Sequence, residues 1–202
     1  MVTEIALVSL SRRARRLAWA TIAWNVTEAI VAIAAGSAAS SIALIGFGLD
    51  STVEVMSALV IVWHLRGPSE NGEGTALKLI AVSFYLLASY VAVQAVLDLT
   101  GGTEPDTSFI GICLATASLI VMPTLAVAKR KTGRQMGNNA VVADSNQTKL
   151  CAYLSAILLA GLILNATIGW WWADPLAAIA ISVLAVIEGR RAWSGKLCDD
   201  SC

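Results

Sequence analysis

Apolar runs of roughly 20 residues recur six times along the chain, at 17–36, 42–64, 76–99, 108–128, 147–168 and 173–190, parted by short polar segments. Each is about the length needed to cross a hydrocarbon core of about 30 Å as a helix. The first run is about 20 residues long, against about 7–15 for the apolar part of a cleaved signal, and a second follows at once. The pattern predicts an all-α membrane protein, a six-transmembrane-helix bundle. The connections expected are short: the small residues Gly36–Ser41, a polar loop at Gly67–Gly74, and an outer turn at Gly101–Asp106. Pro123 reads as a simple kink, which membrane helices tolerate.

Composition agrees. The 202 residues are 57% hydrophobic and 14% charged, where soluble domains run near 45–50% and about 25%. The zero net charge hides an asymmetry. Arg12, Arg13, Arg15 and Arg16 precede the first span and Arg66 follows the second. Lys129, Arg130, Lys131 and Arg134 form an expected loop between spans 4 and 5, and Arg190, Arg191 and Lys196 follow the sixth. Lys78 and Lys149 read as inner-end residues of spans 3 and 5. The other side carries Asp98, Glu104, Asp106 and Asp174 beside the aromatic anchor Trp170–Trp172. The positive-inside rule then places both termini in the cytoplasm of a cell-membrane protein. The expected organisation is a basic N-terminus at 1–16, the membrane domain at 17–190, and a short Cys-containing tail at 191–202.

Few polar residues interrupt the spans. Asp50 and Glu54 are one helical turn apart, so like charges share a face in a medium where each costs several kcal/mol. A cation that neutralises both is the simplest reason to keep them. Span 1 carries Asn25 and Glu28, span 3 Gln94, and span 5 Gln147, Cys151 and Asn165, with Asp144 just before it. Glu54 lies about 15 Å from the inner end of its span by helical rise, and Cys151 falls at a similar depth if span 5 begins near Val141. Gln147 and Cys151 repeat the one-turn spacing of Asp50 and Glu54. Face to face, the two pairs would give two carboxylates, a thiol and an amide oxygen. Such a set suits zinc, or cadmium, cobalt and nickel, better than magnesium or calcium. Its occupancy is linked to protons because the ligands must ionise. Glu28, Asp144, Cys198 and Cys202 are secondary candidates. Taken singly, Cys151 also reads as a small buried hydrophobe and Gln147 as an interhelical hydrogen bonder. Glu28 reads either as part of a polar network or as a proton carrier. The tail thiols Cys198 and Cys202 read as soft-metal ligands, acylation sites or plain reduced thiols. His64, the sole histidine, reads as an interfacial residue. No cysteine is placed outside, so a disulfide framework is not expected.

The second span resembles the second membrane helix of the cation diffusion facilitators. There a Ser-x-Ala-Leu stretch stands nine residues ahead of a ligand pair spaced i, i+4, as Ser41-Ile42-Ala43-Leu44 stands ahead of Asp50 and Glu54. The family's other pair is commonly His-x-x-x-Asp shortly after an Ala-Asp step. Here Ala143-Asp144 is followed by Gln147 and Cys151, so the spacing is kept and the ligand types change. The resemblance covers nearly the whole chain and corresponds to the family's membrane domain, without its C-terminal cytoplasmic domain. It implies a six-helix bundle of the cation-efflux type, with divalent metal carried outward between helices 2 and 5 as protons enter.

Three functions fit these residues: a proton-coupled metal exporter, a proton-coupled exporter of hydrophobic cations using Glu28 with Trp19 and Trp24, and a non-transporting membrane metal sensor or interaction protein. The partners expected are the lipid bilayer, transition-metal cations and protons. Any homodimer would assemble through the membrane helices, and no nucleic-acid partner is expected. The metal is substrate rather than prosthetic group. No catalytic triad, phosphate loop or cofactor motif supports an enzyme.

Overall fold

The computed structural model describes residues 2–64, 73–101 and 104–194. Among these residues there are six helices and no strand: α1 (Val2–Ala39), α2 (Ile42–His64), α3 (Glu73–Gly101), α4 (Phe109–Met136), α5 (Asn139–Ile168) and α6 (Ala173–Trp193). Five are long and apolar enough to cross a membrane. The sixth, α6, is 21 residues long with Asp174, Glu188, Arg190 and Arg191 near its ends. Residues 2–16, expected as a separate basic segment, run on into α1 as continuous helix. Arg66, Lys196, Cys198 and Cys202 lie outside the described residues.

Two expectations are corrected between the fourth and fifth helices. The basic run Lys129–Arg134 is not a loop. It forms the last turns of α4, which passes through Pro123 and ends only at Met136, with Lys129, Thr132 and Gly133 buried. The connection shrinks to Gly137 and Asn138. Gly137 takes a left-handed φ of 62° that closes α4, and the Asn138 side chain accepts from Val141 N to open α5. Because α5 starts at Asn139, Lys149 is not at its end. It is exposed about 15 Å along the axis, with its ammonium 5.7 Å from the Tyr153 ring.

The helices pack most extensively as α1 with α2, α4 with α5 and α3 with α6, and α2 also touches α3, α5 and α6. Contact between α1 and α2 depends on two glycines in reciprocal positions. A Cβ on Gly36 would stand 2.8 Å from Ile45 Cγ1, and one on Gly48 would stand 2.8 Å from Ile33 Cγ1. Close backbone approach is how membrane helices gain packing energy, since lipid offers them no hydrophobic drive to associate. Large apolar side chains such as Leu86, Val93, Ile120 and Val127 remain on the surface, as a lipid-facing exterior requires.

At the acidic end, the chain is tied together by hydrogen bonds between distant segments. Ser40, at a left-handed φ of 52°, turns α1 into α2. Asp106 N donates to Ala39 O at 2.8 Å, and Asn165 Nδ2 donates to Pro105 O at 2.8 Å. Asp174, expected among the outer acidic residues, is 1% exposed. Its carboxylate accepts from the Ser41 hydroxyl and from Ala43 N at 3.2 Å, so α6 caps the start of α2. First-turn N–H groups have no partner within their own helix, and a carboxylate there also complements the helix dipole.

That contact fixes the outer end of the helix carrying Asp50 and Glu54, which gives a stability prediction. Asp174→Ala should cost about 1–3 kcal/mol, because it strands a buried hydroxyl and a buried amide, while Asp174→Asn should cost less. Thermal unfolding in detergent checks this. Equal melting temperatures for wild type and Asp174→Ala would remove the capping role.

Candidate metal site

The polar core lies where α1, α2, α4 and α5 meet. Each contributes side chains at comparable depth, because neighbouring helices run in opposite directions. Glu28 of α1 is fully buried, and its Oε2 accepts from the Ser51 hydroxyl of α2 at 2.8 Å. The Cys151 thiol of α5 is 3.9 Å from the same Oε2. Glu54, one turn along α2 from Asp50, is 1% exposed with Cys151 and Thr148 beside its carboxylate. Neither of its oxygens accepts a well-formed hydrogen bond. Glu28 Oε1, Ser118 Oγ, Trp24 Nε1 and both polar atoms of Asn25 are also buried without a hydrogen-bond partner. Ser118 and Trp24 neighbour the Glu28 carboxylate. A buried polar group left without a partner costs about 1–3 kcal/mol, more if charged. Ser118 and Trp24 stand where small side-chain adjustments would let them donate to Glu28, while both polar atoms of Asn25 and both oxygens of Glu54 remain without a well-formed hydrogen bond.

Charge sharpens the point. Among the described residues, Glu28, Asp50, Glu54 and Asp144 are buried in or beside this core, and Lys129 is the one buried cation. Asp50 lies within the field of Glu54, Glu28 and, from α6, Glu188. The Lys129 ammonium is 2.8 Å from Asp144 Oδ2 and donates to Thr148 Oγ1 at 2.9 Å. One cation is thus already committed to one acid.

The expected ligands are therefore only partly assembled. Glu54 and Cys151 are neighbours across α2 and α5, with Asp50 one turn from Glu54 toward the acidic end. Gln147 is buried on α5 one turn from Cys151, toward the basic end. Glu28, a secondary candidate, is drawn up to Cys151. Asp144, the other one on a span, is held by Lys129. Among the described residues, no three His, Cys, Asp or Glu side chains stand together tightly enough to hold a metal as they are. Drawing them onto one ion takes side-chain movement between helices. Sequence reasoning missed Lys129 because the basic run reads as a topology signal. It also missed Ser51 and Ser118, which are common small residues in membrane helices.

Comparison with known proteins identifies the family. A sequence model of the cation efflux transmembrane domain matches residues 18–194. The chain belongs to the cation efflux family. Cation efflux membership makes it an integral membrane protein and agrees with the all-helical fold. Its relatives include an uncharacterised transporter of Synechocystis, 26% identical over 162 residues that make up 75% of this chain and 52% of the relative. Transmembrane protein 163 of Xenopus laevis is 22% identical over 185 residues, 89% of this chain and 66% of that one. The cation-efflux pump FieF of Shewanella oneidensis is 23% identical over 180 residues, 84% and 60% respectively. The chain spans between about half and two thirds of the length of these relatives.

The position of Cys151 yields a chemical prediction. If its thiolate binds metal, Cys151→Asp should shift the cadmium-to-manganese affinity ratio by about tenfold or more toward manganese, because a hard oxygen replaces a soft sulfur. Saturating zinc should also slow thiol labelling of Cys151. Labelling unaffected by zinc, with the metal ranking preserved in Cys151→Asp, would leave Cys151 as packing.

Proposed function

We propose that this protein carries divalent transition-metal cations across the membrane in exchange for protons, with zinc its foremost substrate and cadmium, cobalt and nickel within reach. The observation that carries this reading is the set Glu54, Glu28 and Cys151. These are two carboxylates and a thiol from three helices, buried with orphaned oxygens beside Asp50. In this reading Asp50, Glu54 and Cys151 bind the metal, with Glu28 adjoining them. Gln147 supplies an amide oxygen once the site closes. Binding requires ionised ligands, so protons and metal exchange for the same groups. A cation efflux domain over most of the chain and a relative named as a cation-efflux pump support transport over fixed binding, and an enzyme is not the reading they favour. In this reading the basic ends of α1 and α6 face the cytoplasm, as the charge asymmetry supports.

A hydrophobic-cation exporter is less well supported. Glu28 faces Ser51 and Cys151 inside the bundle, not a face open to a bulky lipophilic ligand.

The test is uptake of zinc, cadmium, cobalt, nickel and manganese into proteoliposomes across a proton gradient. Wild-type protein should show gradient-dependent flux, and Asp50→Ala and Glu54→Ala should each lower it by at least about tenfold while remaining folded. Such a loss corresponds to about 1.4 kcal/mol or more. Stoichiometric metal binding without flux would replace transport with sensing. Wild-type flux in both variants would end the site assignment.

A further inference from the structure

The proposed metal site leaves one buried group unexplained. Lys129 is 1% exposed, in the middle of a bundle whose neighbouring acids should attract a metal. A buried Lys–Asp pair is seldom kept for stability alone, since desolvation offsets most of the attraction and apolar replacements often do as well. Its placement is therefore informative. On α5, Asp144, Thr148 and Cys151 follow one another along one face from the basic end inward. Lys129 bridges the first two. Thr148 and Cys151 are one turn apart, about 4.5 Å along the axis. The ammonium thus stands between the Cys151–Glu54–Glu28 cluster and the basic end of the bundle.

The pair is also oriented. The ammonium, 2.8 Å from Asp144, also donates to Thr148, which stands one turn nearer Cys151 than Asp144 does, so the positive end of the pair lies on the side of the cluster. Asp144 keeps its other oxygen, Oδ1, without a partner, so the salt bridge leaves the acid short of its full bonding capacity. The lysine stem is flexible and ends in a compact point charge, able to move between acids on neighbouring turns.

We propose that Lys129 is a tethered cation that competes with the transported metal. Its ammonium partly neutralises the Glu54 end of the site, repels an arriving divalent ion, and so lowers affinity enough for the metal to leave. Asp144 is the residue that restrains it. This inference rests on the metal reading above and adds a determinant of affinity that is not itself a ligand.

The two members of the pair should then have opposite effects on zinc binding. A purely structural salt bridge would give losses of the same sign from either side. Calorimetric titration of zinc into the full chain in detergent provides the readout, with circular dichroism and size-exclusion chromatography confirming the fold. Lys129→Gln should tighten zinc binding by about tenfold or more, and Asp144→Asn should weaken it by a similar factor, as expected for a unit charge near the ion at intermediate dielectric. Lys129→Arg should stay within about threefold of wild type. If either single variant does not fold, the double variant Lys129→Gln/Asp144→Asn decides. It removes the oriented pair at constant net charge, and tighter zinc binding supports the proposal. Single variants that shift in the same direction, or a folded double variant with wild-type or weaker affinity, overturn it and leave the metal reading standing. Absence of zinc binding in every protein, wild type included, overturns both.

Discussion

Charge held in a dry helical bundle has to be matched by charge of the opposite sign, and that constraint organises this molecule. Glu28, Asp50, Glu54 and Asp144 are buried, while Lys129 alone among the described residues is a buried cation. In water such a cluster would be screened, but within a bundle the field between neighbours is strong. The one ammonium satisfies Asp144 and Thr148. The Ser51 hydroxyl steadies one oxygen of Glu28, and both oxygens of Glu54 stay without a hydrogen bond. The acids that remain, where α1, α2, α4 and α5 meet, have to be met by protons or by a cation, and there the proposed chemistry resides.

Such a demand is useful only if the helices that create it can yield without coming apart. The acidic end is tied by the Asp174 cap on α2, by Asp106 N on Ala39 O, and by Asn165 on Pro105 O. Farther along the bundle, α6 reaches α3 through the Ser182 hydroxyl on Ala88 O. Against these fixed points, α1 and α2 touch through glycine surfaces at Gly36 and Gly48. Most of these ties are at the acidic end of the bundle, and the buried charges of Glu28, Glu54 and Lys129 lie deeper in it.

Much of this was legible in the sequence because length and hydropathy dominate membrane folds. The second span was expected at 42–64, where α2 lies, and the pair Asp50/Glu54 stood out for being charged at all. The depth match of Glu54 with Cys151 followed from helical rise once α5 began close to Val141, as it does at Asn139. Other features were hidden by competing signals. Lys129 looked like one more positive-inside residue, and only the continuation of α4 past Ala128 turned it inward onto Asp144. Asp174 looked like outer-surface acidity, although its partners, Ser41 and Ala43, are far away in sequence. No one-dimensional pattern could bring Glu28 to Cys151, because that contact depends on how α1 rotates against α5.

The exchange of ligand types on the fifth helix becomes intelligible once α1 is counted. The family pattern that the sequence resembles pairs a carboxylate-bearing second helix with a histidine and a carboxylate on the fifth. Here Gln147 and Cys151 hold those places, so α5 offers one fewer carboxylate. Glu28 restores a carboxylate from a different helix, with its Oε2 3.9 Å from the Cys151 sulfur. In the proposed reading an ionised Cys151 keeps the charge of the carboxylate it replaces, so Glu28 adds one and spreads the site from two helices to three. A site shared by three helices binds tightly only when all three are in register, so its affinity depends more on bundle conformation than that of a two-helix site. In the proposed transporter, spreading the ligands in this way would couple occupancy to helix movement, and the ammonium of Lys129 would limit how tightly the closed arrangement holds.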